Sequence, residues 1–417
     1  MGVLVGWVES MSIPRCDDPP EGGRTPVRGE RLVERGEGRF EGDGESGATS
    51  ARVLLPSLRS HYPIVQLSDS TVGSQRERAR DLVLKFGWNS TAYQILNPGI
   101  QLWFSSAEDG VVGFVRDRGM LVVAGAPTCA PDRLDAIAAE FVAAAHGRGE
   151  RVCYFGAGER LDTSYGCDPS WSRVLLGAQP AWDPHNWPVA VAKRRSLRAQ
   201  FNRARNKGVT VTEWLPAEAE NHPALRLVLS QWLAMRHLPP LHFLIEPETL
   251  SDLRDRRVFV AERGGREVVA FTVLSPVPAR NGWLVEQIVR GSRAPNGTAE
   301  LLLDTAMRAV AASGSTYATL GLSPLSHRAE LEPLHQPSWV SFVLRWVRRY
   351  GARFYNFGGL DAFKAKFNPE VWEPVYAIVE GASFPPRAFY AIAGAFSGGA
   401  PIRLVLRALL RSRERRA

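Results

Sequence analysis

The same order of elements is indicated twice along this chain of 417 residues, and that repetition limits its possible folds more than any other feature. Three strand-like runs, one helical pattern and one more apolar run follow one another in each half. In the first half they cover 101–105, 111–117, 120–125, 131–147 and 151–157, and in the second half 257–263, 267–276, 283–290, 298–313 and 316–321. A repeated meander, helix and strand predicts a duplicated α+β unit, an α/β sandwich of mixed sheets flanked by helices.

The remaining pattern places other elements around this repeat. They are a helix from 76 to about 87, a strand at 172–177, a long basic helix at 190–207, a strand at 209–214, a helix at 223–237, a helix at 337–350, a strand at 354–357, a helix at 359–367 and a strand at 372–380. We therefore predict a first domain over 71–188, a second, catalytic domain over 189–382 and a tail over 383–417. Residues 17–50 contain eight glycines, nine acidic residues and five arginines, and so few apolar residues predict that 1–70 is disordered.

Several common kinds of site have no motif in this sequence. It contains no phosphate-binding loop of the Walker type, no dinucleotide-binding glycine motif and no serine-hydrolase elbow. Its four cysteines form no Cys-x-x-Cys pair and its histidines are scattered, so we predict no metal site and no cofactor. No apolar run reaches the roughly 18 residues of a membrane span, and the first residues do not resemble a signal peptide. We expect a cytoplasmic protein.

The charge of the chain favours an anionic partner. Lysine and arginine exceed aspartate and glutamate by 51 − 43 = 8, which suits a nucleic acid or a membrane surface. The segment 193–207 carries seven of these cations and no acid. On a helix, Arg194, Arg198 and Arg205 share roughly one face, while Leu197 and Phe201 share another. Cations this dense favour phosphate contacts, and the alternative is a solvated helix face.

Two more segments suit an anion or a carbonyl oxygen. Gly297 and Thr298 open a helix directly after a strand, where free N–H groups point outwards, although a simple helix cap would look the same. In the segment 354–376, Lys364 and Lys366 follow paired glycines and are surrounded by aromatic residues. Two lysines near a glycine turn suit a phosphate or a tRNA terminus, and the alternative is ordinary surface lysines.

Taken in order, these segments resemble one family. The matching stretches lie within 86–104, 193–208, 294–302, 320–326 and 355–376, and the last, YNFGGLDAFKAKFNPEVWEPVY, is the most specific. They look like the C-terminal catalytic region of the aminoacyl-phosphatidylglycerol synthases, also called the multiple peptide resistance factor or phosphatidylglycerol lysyltransferase family. The resemblance covers about residues 75–382. It implies tandem GNAT-like acyltransferase domains and the transfer of an aminoacyl group from aminoacyl-tRNA to phosphatidylglycerol.

The resemblance also suggests which residues form the site. An ungapped match places Glu286 at a family aspartate and Val289 at a family arginine, and Arg290 supplies that charge with a shift of one residue. We expect Glu286 to position the α-amino group or to act as a base. The other expected catalytic residues, which would bind the acceptor phosphate or the tRNA 3′ end, are Arg290, Lys364 and Lys366. The expected substrate-binding residues are Asn296, Gly297, Thr298, Gly358 and Gly359, and the expected tRNA contacts are Arg194, Arg198 and Arg205.

A basic amphipathic tail predicts contact with the membrane. In 401–417 the apolar residues follow helical spacing, and the side chains sum to +6 − 1 = +5. Such a helix suits an anionic lipid surface, which would place the protein at the inner face of the membrane. The preceding 388–396 would add apolar contact. Alternatively, the tail packs its leucines on the protein or frays in solution.

Three other functions stay open at this point. One is a coenzyme-A-dependent N-acyltransferase, although the loop at 293–300 lacks the two spaced glycines of that class. Another is an aminoacyl-tRNA-dependent enzyme that modifies a peptide or a small metabolite. A third is a tRNA- or membrane-binding module without catalysis. The sequence specifies neither the transferred amino acid nor the oligomeric state.

Overall fold

Within the residues that the structure describes, one sheet of 13 strands, flanked by helices, forms the frame. The computed structural model describes residues 69–166, 168–235, 242–329 and 357–399. The predicted disordered segment therefore lies outside the described residues, except for 69–70 at the start of the first helix. The helix expected at 337–350, nearly all of the strand expected at 354–357, and the basic tail from 400 onwards also lie outside them.

The elements predicted within the described residues occur in the predicted order, and a few short helices and strands are added to them. The helices are α1 (Asp69–Phe86), α2 (Leu134–His146), α3 (Glu159–Tyr165), α4 (Trp187–Ala192), α5 (Arg195–Asn206), α6 (Pro216–Ala219), α7 (Pro223–Met235), α8 (Thr298–Ala312), α9 (Phe357–Ala365) and α10 (Pro386–Ser397). The strands are β1 (Gln101–Phe104), β2 (Gly110–Asp117), β3 (Met120–Ala124), β4 (Thr128–Cys129), β5 (Arg151–Ala157), β6 (Trp171–Trp182), β7 (Val209–Trp214), β8 (Arg257–Arg263), β9 (Glu267–Val277), β10 (Gly282–Arg290), β11 (Tyr317–Thr319), β12 (Ser323–Pro324) and β13 (Val371–Glu380).

The sheet is mixed, and its order reveals a repeat. The strands lie in the order β1-β2-β3-β5-β13-β6-β11-β10-β9-β8-β7, with β4 paired to β2 and β12 paired to β6. Each half contains three antiparallel strands, then a helix, then a strand parallel to the third: β3 pairs with β5 and β10 pairs with β11. The predicted α+β fold of mixed sheet and flanking helices is therefore confirmed.

The final strands of the two repeats are exchanged. Strand β6 follows β5 along the chain but pairs with β11 of the second repeat, whereas β13 pairs with β5 of the first. The exchanged strands also pair with each other, from Val371 opposite Ala181 to Glu380 opposite Trp171. One sheet therefore runs through the predicted boundary near 188, and the domain limits themselves stay predictions.

The central helix of each repeat packs on this sheet by its apolar face. In α2, Ile137 and Phe141 are buried, and the helix ends at Gly147 as the sequence predicts. In α8, Leu302, Met307 and Val310 are buried in the core of the second repeat. Burial of each such side chain contributes about 1.5–3 kcal/mol, so both helices are held mainly by packing.

Besides shifts in the bounds of several elements, the structure changes two predictions that bear on function. The long basic helix at 190–207 is wrong as a single helix: extended backbone at Arg194 (φ −118°, ψ 92°) separates α4 from α5. This break lets Trp187 in α4 and Leu197 in α5 both reach the core. The apolar stretch 388–396 lies in α10, which packs against β2 and β3 and buries Ile392 and Phe396 in the core. These two side chains are therefore part of the core and are not available to a lipid surface.

Candidate active site

The end of β10 and the start of α8 form the centre of the candidate site. Arg290 is the last residue of β10, and α8 begins at Thr298 after a short loop. Gly297 has a positive φ of 93°, and a Cβ on it would lie 2.1 Å from the carbonyl oxygen of Gln200 in α5. Only glycine allows this approach without displacing the backbone. Gly297 therefore fixes the basic helix α5 directly against the start of α8.

Arg290, Glu300 and Lys366 form a partly buried charged cluster there. The Lys366 Nζ lies 2.6 Å from Glu300 Oε1, and Arg290 Nη2 donates to the Ala294 carbonyl at 3.1 Å. Burial lowers the pKa of Lys366, and the attraction of Glu300 opposes that shift only in part. Burial likewise lowers the pKa of Arg290, again with Glu300 in opposition. The charge of Glu300 acts on both cations, which makes the place suited to an entering anion.

The two lysines of α9 point to different surroundings. Lys364 is fully buried, and its Nζ donates to the carbonyls of Gly321 and Leu322 at 2.8 and 2.9 Å. Burial places its pKa well below the usual value for lysine. These bonds hold the segment between β11 and β12, so Lys364 braces a loop, whereas Lys366 lies with the charged cluster. Gly358 is exposed and Gly359 is buried, both in the first turn of α9.

The other residues expected at the start of α8 differ in exposure. Thr298 is fully buried, and its hydroxyl donates to the Pro295 carbonyl at 2.7 Å, so it caps its own loop. Asn296 is exposed beside it. Asn296 is thus free to meet a ligand from solvent, while Thr298 shapes the loop from within.

Glu286 lies in a buried ion pair with Arg256. The register of β10 on β9 shifts between Val285 and Gln287, which leaves Glu286 as the extra residue of a β-bulge. Arg256 donates to both of its carboxylate oxygens, from Nε at 2.8 Å and from Nη2 at 3.1 Å. Burial would lower the pKa of Arg256, but the charge of Glu286 outweighs it and raises that pKa. Glu286 is therefore held rigidly, with Arg256 stacked in turn over Tyr93.

The basic helix α5 presents its cations to solvent. All seven lysines and arginines of 193–207 are exposed, whereas Leu197 and Phe201 are buried. Arg194 lies in extended backbone before α5, so the prediction that it shares a helical face with Arg198 and Arg205 is wrong for Arg194. Arg194 donates to Asn368 at 3.3 Å, Arg198 donates to the Ala192 carbonyl, and Arg205 lies 3.9 Å from Asp304. Because these contacts are exposed and mostly with neutral groups, they leave the field of the face positive.

Sequence reasoning missed two members of this region. Glu300 is the third residue of α8. Acidic residues are common at the start of a helix, so nothing in the sequence indicated its contact with Lys366. Arg256 directly precedes β8 and has no motif around it. Among the described residues, no group of histidine, cysteine, aspartate and glutamate side chains is arranged to hold a metal ion. None of the described helices is both long enough and apolar enough to cross a membrane.

Comparisons with known proteins show which family this chain is similar to. The family model described as phosphatidylglycerol lysyltransferase, C-terminal, matches residues 80–379. A phosphatidylglycerol lysyltransferase of Bacillus subtilis is 24% identical over 285 residues, which is 66% of this chain and 32% of that protein. An uncharacterized protein of Corynebacterium glutamicum is 20% identical over 327 residues, which is 76% of this chain and 40% of that protein. The chain thus spans about a third of the length of these curated relatives.

Two solved structures share the fold. The C-terminal domain of a putative lysylphosphatidylglycerol synthetase from Agrobacterium fabrum superposes with a TM-score of 0.66 and 24% identity, over 78% of this chain and 98% of that chain. L-PGS from Bacillus licheniformis superposes with a TM-score of 0.62 and 22% identity, over 81% of this chain and 96% of that chain. At these identities the likeness establishes the fold.

Proposed function

Because the chain belongs to the phosphatidylglycerol lysyltransferase C-terminal family, we propose that it transfers an aminoacyl group from aminoacyl-tRNA to a headgroup hydroxyl of phosphatidylglycerol. One observation carries the donor side of this proposal. The seven exposed cations of 193–207 lie along α5 and directly before and after it, and Gly297 fixes this helix against the start of α8, where Glu300 pairs with Lys366. A tRNA backbone bound on α5 would bring its 3′ end to that cluster.

The acceptor side rests on the charge of the cluster. Arg290 and Lys366 are partly buried cations whose pKa values are lowered by burial, so an incoming phosphodiester would relieve the cost of holding them charged. Arginine and lysine are also the usual partners of phosphate oxygens. We assign the lipid phosphate to these two side chains. Lys364, which bonds two carbonyls, positions the loop between β11 and β12.

The proposed reaction needs no separate activation step, because the aminoacyl ester on tRNA is already reactive. The acceptor hydroxyl oxygen attacks the ester carbonyl carbon, the bond from that carbon to the ribose oxygen breaks, and the hydroxyl proton passes to the released ribose oxygen. Alignment of the two substrates and stabilisation of the developing oxyanion would provide most of the rate. The amide groups at the start of α8, with Asn296, Gly297 and Thr298, would border the ester, and Gly358 and Gly359 would leave room beside it.

Glu286 has a positioning role in this proposal. A carboxylate held by two hydrogen bonds from Arg256 has a fixed direction, which suits orientation of the α-ammonium group of the donor. Both of its oxygens already accept from the guanidinium group of Arg256. We therefore favour orientation over base catalysis for this residue.

The test is to follow a labelled amino acid. Purified protein is incubated with radiolabelled aminoacyl-tRNAs and vesicles containing phosphatidylglycerol, and the label is then located. We expect it in the lipid fraction, with vesicles of phosphatidylcholine alone as the control acceptor. Label in a peptide or a small metabolite would replace the lipid acceptor, and tRNA binding without any transfer would indicate a binding module. A lipid acceptor would also place the protein at a membrane surface.

A further inference from the structure

A second cleft lies in the first repeat, at the place that corresponds to the candidate active site in the second. It opens beyond the carboxyl ends of the parallel strands β3 and β5, between the loop that leads into α2 and the start of α3. Crevices at such strand ends are common ligand sites. We call it the first-repeat cleft, and its volume is about 90 Å³. A space of this size has room for a small charged group.

Two arginines enclose a tryptophan at this cleft. The guanidinium carbon of Arg160 lies 3.4 Å from the ring centre of Trp88, and that of Arg280 lies 4.8 Å from the same ring. Arg280 also stacks on Tyr317 at 3.5 Å. Stacking fixes the planes of both guanidinium groups before any ligand arrives.

The charge of Arg280 is already compensated. It donates to both carboxylate oxygens of Glu373, at 3.0 and 2.5 Å, and Glu373 also accepts from Gln179 and Tyr317. Burial would raise the pKa of Glu373, but these hydrogen bonds and the charge of Arg280 lower it. Because both of its oxygens already accept hydrogen bonds, Glu373 has little to offer Arg160.

The charge of Arg160 has no such partner within the described residues. No carboxylate there lies within salt-bridge distance of it, and the neighbouring Glu159, which also borders the cleft, is exposed. Burial, with repulsion from Arg280, lowers the pKa of Arg160. An anion in the cleft would remove this repulsion and would meet a preoriented guanidinium fork. Pro127, Cys129 and Leu134 form an apolar wall that would strengthen the interaction by excluding water.

We propose that the first-repeat cleft binds the phosphate group of a small phosphate ester, with Arg160 as its main donor. This site is additional to the proposed transfer reaction and does not depend on it. The ligand is recognised by its phosphate, which could belong to a free phosphate compound or to the diester of a lipid headgroup.

Thermal melting at constant ionic strength tests the proposal, with inorganic phosphate and glycerophosphoglycerol as separate probes and chloride as the reference. We expect either probe to raise the melting temperature of the wild type, because a ligand that binds only the folded state stabilises it. The Arg160→Gln variant should lose about tenfold in apparent affinity, equivalent to the loss of one charged contact. Arg151→Gln is the matched control, since Arg151 is exposed at the other end of the same strand, β5.

Each possible result either supports or contradicts the proposal. A response that survives in Arg160→Gln but disappears in Lys366→Gln would place the phosphate in the second repeat and overturn the proposal, as would no response to either probe. If Arg160→Gln melts too low to compare, Arg160→Lys keeps the charge without the fork, and we expect it to bind more weakly than the wild type. Equal binding by Arg160→Lys would also contradict the assignment. Preference for one probe supports the site and identifies the source of its phosphate.

Discussion

Substitution of Glu286 by glutamine separates a structural from a catalytic role for this carboxylate. The side chains of Arg256 and Glu286 are only 5% and 8% exposed and share two hydrogen bonds. Removal of one partner of a buried ion pair costs about 3–5 kcal/mol, because the other charge stays buried without compensation. The cost here should lie at the lower end of this range, because glutamine keeps one acceptor oxygen and Arg256 keeps its hydrogen bond to the Asp252 carbonyl at 2.8 Å. We therefore expect a loss of about 3 kcal/mol in the free energy of unfolding.

The measurement is a thermal scan supported by urea unfolding. A loss of that size lowers the melting temperature by about 6 °C, at roughly 2 °C per kcal/mol for a cooperative unit of this size. Glu220→Gln is the control, because it removes the same charge from an exposed side chain that forms no ion pair within the described residues. If Glu286→Gln has the same melting temperature as the control variant, the ion pair does not stabilise this region and the reasoning is wrong.

A double substitution then isolates any role in transfer. Replacing both partners with apolar residues, as in Arg256→Met with Glu286→Leu, should restore much of the stability lost by the single variant, because no charge is left buried alone. If stability returns and lipid aminoacylation does not, Glu286 or Arg256 acts in the reaction as well. If both return together, the pair is structural.

Four further outcomes are expected. Alanine at Arg194, Arg198 and Arg205 should weaken tRNA binding and reduce the slope of log affinity against log salt by about 2 to 3, one per lost phosphate contact; an unchanged slope would remove these contacts. Because the pKa of Glu373 is lowered in the folded state, its stabilisation is present above the ordinary glutamate pKa and is lost as pH falls, so Glu373→Gln should flatten acid unfolding below about pH 4.5; an identical acid transition would contradict this. A chain ending at Gly399 should keep its melting temperature but lose binding to phosphatidylglycerol vesicles, whereas one ending at Gly381 should lose its core helix α10 and its cooperative melting; equal vesicle binding by the Gly399 form would exclude the tail. A chain ending at residue 188 should not melt cooperatively, because β6 would lack both β11 and β13, and independent folding would argue against the strand exchange.

Local patterns in the sequence were sufficient for most elements. The bounds of β5, β7 and β8 are those predicted, because each is a short run of strand-forming residues that follows a charged residue or a glycine. The break at Arg194 escaped prediction, since arginine is a good helix former and only the need to bury Trp187 and Leu197 on one core requires the turn.

The arrangement of the candidate residues in the fold could be predicted better than their contacts. The order of strand, loop and helix placed Arg290 and Gly297 at one end of the sheet, and Lys366 does lie there. Lys364 and Lys366 have different surroundings because of the way α9 faces the core. The ion pair of Glu286 with Arg256 depends on the β-bulge at Glu286. Both are properties of tertiary packing that spacing along the chain does not encode.

The exchange of β6 and β13 links the first repeat to the candidate site in the second. Gly177 in β6 has a φ of 149°, and a Cβ there would lie 2.1 Å from the Ser323 carbonyl oxygen, so β12 can approach β6 only at glycine. The segment just before β12 is the one whose carbonyls accept from Lys364. A loop beside the candidate site is thus held on one side by a strand of the first repeat and on the other by a buried lysine of the second. The two repeats are therefore coupled through this loop. We expect a substitution in β6 to alter the candidate site even when the substituted residue contacts no substrate.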